Sequence, residues 1–106
     1  MTSVEFYVDK HNIIYGFRIE GHSGYSDKGN DIVCASISTI AQMVEIELKL
    51  YGINSTIVKE DGFMVIFVIN TELIYTAQYC FKTAKIMLNE IAIKYQDNVR
   101  FKEVLC

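Results

Sequence analysis

Proline is absent from all 106 residues, and so are low-complexity stretches, linkers and internal repeats. Nothing in the chain marks a boundary, so residues 1–106 are expected to form one domain. Such a domain can bury a core without staples but has no room for a separate substrate domain. An active site must then be a surface cleft, or be completed by a second subunit. Long hydrophobic runs are missing too. The longest, Phe63–Ile69, falls far short of the roughly 20 residues a spanning helix needs, and no charged-then-apolar leader opens the sequence. These features predict a cytoplasmic protein with no membrane partner. Basic residues are few and scattered: ten against thirteen acidic ones, for a formal charge of −3. That balance argues against a surface that grips nucleic acid by neutralising phosphates. The three cysteines are odd in number and lack paired spacings, which suits free thiols in a reducing compartment. No CxxC or HxxxH pairing offers two ligands from one turn, so no metal is expected from His11, His22 and the cysteines, and no cofactor is called for.

What the chain does contain is regular patterning. Val4–Val8 and Ile13–Glu20 are apolar, β-branched and aromatic runs on either side of Asp9-Lys10-His11-Asn12, a hairpin with a four-residue turn. Val33, Ile37, Ile40, Val44, Leu48 and Tyr51 then recur every three or four residues, an amphipathic helix that Gly52 should stop. Ile53–Lys59 and Phe63–Ile69 flank Glu60-Asp61-Gly62, a second hairpin signal. The run FMVIFVI is apolar on both faces and predicts a central strand. Ile74, Ala77, Phe81, Ala84, Leu88, Ile91 and Tyr95 keep helical spacing over six steps, and Val99–Val104 alternates as a last, edge strand. The fold class is therefore α+β, ordered strand-strand-helix-strand-strand-helix-strand, with a mostly antiparallel mixed sheet packed by two helices.

The chemistry concentrates in Gly21–Gln42, GHSGYSDKGNDIVCASISTIAQ. Cysteine nucleophiles act as thiolates, which a nearby imidazole or the positive end of a helix can supply. Cys34 falls in the first turn of the predicted first helix, with Asn30 and Asp31 as cap candidates, and His22 ends a strand from which it can fold back. Read alone, Cys34 is better explained as a small buried hydrophobe. Its surroundings bring the nucleophile reading level with that one. Asp31 has two readings, helix cap or orienter of His22. Ser38 lies one turn after Cys34, placed either near the thiol or to bond back to a helix carbonyl. Backbone N–H groups at the helix start are candidates for holding an oxyanion. Gly21, Gly24 and Gly29 puncture the loop that also holds Ser23 and Tyr25, which predicts a flexible substrate segment acting as a lid. Cys80 reads as core, Cys106 as a frayed end, His11 as a solvated turn residue, and Glu45 with Glu47 as part of the solvated helix face.

The ordered set Gly21-His22, Tyr25, Gly29, Asp31-Ile32-Val33-Cys34-Ala35 and Ser38 resembles the signature of the ribosomal-processing cysteine proteases, the Prp family. Element order and length resemble that family over the whole chain. Ser23 and Ser36 stand where the family often has alanine. The resemblance implies a cysteine endopeptidase with His22 as base and Cys34 as nucleophile. It further implies removal of the N-terminal extension of the large-subunit ribosomal protein number twenty-seven, cleavage after an aromatic residue, and a homodimer. On that view a short apolar peptide would lie in a groove lined by Tyr25 and neighbouring helix residues. Two other classes compete. A noncatalytic ribosome- or RNA-associated module with a ferredoxin-like layout would want exposed aromatics with basic neighbours, where this chain offers buried-strand composition and net acidity. A small phosphatase would want an arginine beside a glycine-rich phosphate loop, and neither Arg18 nor Arg100 has one.

Overall fold

A computed structural model describes residues 1–69 and 71–106. The strands are β1 (Thr2–Val8), β2 (Ile14–Gly21), β3 (Ser55–Glu60), β4 (Phe63–Val68) and β5 (Val99–Leu105); the helices are α1 (Ile32–Leu50) and α2 (Ile74–Lys94), the latter preceded by a 3₁₀ turn at Thr71–Leu73. The sheet runs β3-β4-β2-β1-β5. Three pairings are antiparallel, and β5 lies parallel to β1 at the edge, so the expected mixed α+β layout is the one observed.

Both helices cover one face of the sheet. In β1 the alternate residues Thr2, Val4, Phe6 and Val8 are buried while those between are half-exposed, the period-two signature of a sheet packed on one side. Phe6 and Phe17 stack at 5.1 Å, and Phe17 meets Phe81 of α2 edge-on at 6.2 Å. All three rings are fully buried, each contributing about 1.5–3 kcal/mol on leaving water. The other face is uncovered and carries Tyr7 against Phe67 and Arg18 over Phe63.

That asymmetry corrects the reading of FMVIFVI. β4 is hydrogen-bonded on both sides, but β2 holds the middle of the sheet, and within β4 only Ile66 and Val68 are buried. An apolar run on both faces marked a strand with one half-open face, because both helices lie on the other.

Helix α1 ends as its glycine requires. Gly52 takes φ +70°, its N–H donates to the Lys49 carbonyl, and the Ile53 N–H reaches back to Leu48. This is a Schellman stop closed by the buried pair Leu48 and Ile53. Tyr51, assigned to the buried stripe, is instead the exposed C-cap. In α2 the buried Gln78 bonds both the N–H and the carbonyl of Ile14, tying the helix to the first residue of β2. Cys106 is not frayed: its N–H donates to the Val8 carbonyl, extending the edge pairing by one residue. No helix among the described residues is long and apolar enough to cross a membrane.

Candidate active site

Helix α1 begins at an aspartate that satisfies orphan donors in the first turn. Asp31 is the N-cap in extended conformation, and its Oδ1 accepts from the Val33 and Cys34 N–H groups at 3.0 and 2.9 Å. Its Oδ2 accepts from the Ser23 hydroxyl in a short hydrogen bond and from the Ser26 N–H at 3.4 Å. The Ser23 bond first, and the backbone donors after it, hold this carboxyl down at about 2. Asp31 is therefore the cap, and it also binds the preceding loop to the helix.

Ser23 is the second organising residue. It is buried and its N–H donates to the Cys34 Sγ at 3.3 Å. Its hydroxyl donates to Asp31 and accepts from the Tyr25 N–H, while its carbonyl accepts from the Asn98 amide at 3.0 Å. The start of the loop is thus fixed to the thiol, to the helix cap and to the turn before β5. Beyond it, Gly24 and Gly29 adopt φ +70° and +94° with open space where a Cβ would go.

Cys34 is half-buried and His22 is exposed, and both line one groove of about 680 Å³ between α1 and the β3–β4 hairpin. No hydrogen bond joins them. The His22 carbonyl accepts from the Met1 ammonium at 2.6 Å, and Gly21 donates to the Gly62 carbonyl at 2.8 Å, so the backbone that carries the imidazole is held from two sides. Ser38 and Ala35 line the same wall from α1. Ile19, Ile37, Ala41 and Met64 are among its apolar lining residues, and Glu45 and Lys59 among its polar ones.

Several expectations change here. Val33 and Cys34 already give their N–H groups to Asp31 and Ala35 gives its own to the Asp31 carbonyl, so these helix-start donors are not available to an oxyanion. Tyr25 is not among the groove residues; its ring meets Tyr95 edge-on at 5.3 Å. Glu45 is buried rather than solvated, because Lys59 and Lys49 cover it at 2.9 and 3.0 Å and lower its carboxyl, Lys59 most. Cys80 is core as expected, its thiol donating to the Ala77 carbonyl and pushed up to about 11 by burial. Asn98 and Met1 escaped the sequence reading because single hydrogen bonds between distant segments leave no periodic trace. Among the described residues no group of acidic, histidine and cysteine side chains could hold a metal ion.

The family model described as Cysteine protease Prp matches residues 1–100. Among solved structures, the essential ribosomal processing protease Prp from S. aureus, in complex with a covalently linked product peptide, superposes with a TM-score of 0.87 at 24% identity, over 98% of this chain and 100% of that one. The same protease with a substrate peptide gives 0.84 at 22%, with the same coverage. SMU.848 from Streptococcus mutans gives 0.82 at 22%, over 100% and 96%. No curated protein matches. The structural likenesses establish a shared fold, and the family match over nearly the whole chain establishes more: this chain belongs to the Prp family of cysteine proteases, which sets aside the noncatalytic and phosphatase readings.

Proposed function

From that membership we propose that residues 1–106 act as a single endopeptidase domain that removes the N-terminal extension of the large-subunit ribosomal protein number twenty-seven, with Cys34 as nucleophile and His22 as general base. The observation that carries the reading is the meeting of a half-buried thiol and an exposed imidazole in one groove, at the capped start of α1. His22 takes the thiol proton, Cys34 attacks the scissile carbonyl, and the imidazolium then protonates the leaving amine. Water hydrolyses the acyl-enzyme. The Ser23 N–H donates to the sulfur at 3.3 Å and is released toward the developing oxyanion as that sulfur bonds the carbonyl carbon, a contribution on the order of 3 kcal/mol elsewhere. Asp31 positions both that donor and the helix turn carrying Cys34. Ser38 lines the groove one turn further on, and in this reading its hydroxyl contacts substrate.

The apolar lining of the groove, Ile19, Ile37, Ala41 and Met64, suits a short hydrophobic peptide. The glycines at 24 and 29, with room around both, let the loop beyond Ser23 reshape over it. By the same family argument the protein works in the cytoplasm as a homodimer. The test is cleavage of the precursor ribosomal protein by the purified chain and by Cys34→Ala and His22→Ala. Both variants are expected to fold and to lose cleavage; a Cys34→Ala protein that still cuts would refute the assignment.

A further inference from the structure

Five glycines adopt positive φ, at positions 21, 24, 29, 52 and 62, and backbone conformation alone accounts for three of them. Gly24, Gly29 and Gly52 have nothing within 4 Å of where a Cβ would sit, and Gly21 lies against the Met1 backbone. Gly62 differs. A Cβ there would fall 2.8 Å from His22 Nε2, 3.2 Å from Cε1 and 3.4 Å from Cδ2, so the imidazole occupies the space a side chain would fill. The turn that carries Gly62 is held to both ends of the loop. Gly62 accepts from the Gly21 N–H, and Asp61 pairs with Lys28 at 3.3 Å, although so exposed a pair adds little strength.

We propose that Gly62 is a positioning residue for the reaction: its missing side chain is the seat of the His22 imidazole, so the β3–β4 turn sets where the base stands relative to Cys34. This rests on the His22–Cys34 reading above. The backbone of His22 is held from two sides, but its side chain is exposed, so the ring needs a stop of its own, and α1 supplies none by hydrogen bonding. An L side chain at 62 must push the ring by a good fraction of an ångström, and misplacements on the order of 1 Å can cost about a hundredfold in rate.

The test compares iodoacetamide alkylation of Cys34, followed by mass spectrometry across pH 5.5–9, in wild type, His22→Ala, Gly62→Ala, Gly62→Asn and Gly52→Ala. Gly52 has the same φ of +70° with open space around it, so its alanine variant reproduces the backbone strain without touching the imidazole. Asparagine tolerates positive φ yet carries the Cβ, so Gly62→Asn keeps the clash with less strain. Expected is alkylation about tenfold slower near neutral pH in His22→Ala and in both Gly62 variants, with the rate recovering at high pH, and a wild-type profile in Gly52→Ala. Slow alkylation in His22→Ala with wild-type profiles in the Gly62 variants overturns this proposal and leaves the dyad standing. An unchanged rate in His22→Ala overturns both. Should the Gly62 variants not fold, the wild type decides: the α-protons of Gly62 should shift in NMR spectra as the His22 ring titrates, those of Gly52 should not, and insensitivity at Gly62 overturns the proposal.

Discussion

The two helices are of similar length, lie on the same face of one sheet and carry one cysteine each, yet they begin in opposite ways. Helix α1 starts at Asp31, whose carboxylate accepts from four groups, and presents Cys34 three residues later at the wall of a groove. Helix α2 starts through a 3₁₀ turn at Leu73 with no side-chain cap, and its Cys80 is buried two turns down against Ala77. The start of α2 is packed instead, with Leu73 resting on the core. The start of α1 faces a cleft and cannot be packed shut, so side chains satisfy it instead. That is the difference between a helix that closes a core and one that offers a reactive end.

The sharpest way to break the comparison is to remove each sulfur in turn. Cys34→Ala should lower cleavage about 10³-fold or more, whereas Cys80→Ala should leave kcat/KM within about twofold and cost about 1 kcal/mol of stability from lost packing, read by urea unfolding. Next in size is thiol reactivity at neutral pH. Cys34 should alkylate well ahead of Cys80, whose thiol burial has raised to about 11, with Cys106 as the internal reference for an exposed thiol. A smaller effect tests the cap. Asp31→Ala should lower Tm by several degrees and reduce cleavage, because Ser23 and the first turn lose their common acceptor; a cap-free α1 with full activity would contradict its part.

The smallest effect is in pH. Asp31 titrates lower folded than unfolded, at about 2 against an ordinary 3.8, so the stability it adds is complete above the ordinary value and is lost as pH falls from there toward 2. Thermal melts of Asp31→Asn should show a flatter decline over that window than wild type. For Cys80 the sign reverses: with its thiol raised above the ordinary 9.0, stability falls once pH exceeds 9, and Cys80→Ala should lose that alkaline slope.

Much of this architecture is legible in the sequence because periodicity reports burial. The six-step stripe from Ile74 to Tyr95 predicts α2, the Asp-Gly pair predicts the β3–β4 hairpin, and Asp31 sits where a cap belongs. Pattern does not show which faces of the sheet are covered, and so β4 reads as doubly buried although Phe63, Val65 and Phe67 lie on the open side. Single contacts between distant segments also leave no pattern. Glu45 reads as solvated because Lys59 is 14 residues away, Asn98 reaches Ser23 across 75, and Gly62 reads as a turn glycine with no hint of the imidazole against it. The segment Gly21–Ser38 does identify the groove residues His22, Cys34 and Ser38, since capping and loop chemistry are local. It misplaces Tyr25, whose partner Tyr95 is on the far side of the chain.

The central claim is that one sulfur at the start of α1 forms the covalent bond to substrate. Incubating the protein with a chloromethyl ketone built on the precursor's extension peptide, followed by peptide mapping, tests it directly. The account predicts a single adduct on Cys34, absent in Cys34→Ala and slowed in His22→Ala; an adduct confined to Cys80 or Cys106, or equal labelling without His22, would contradict it.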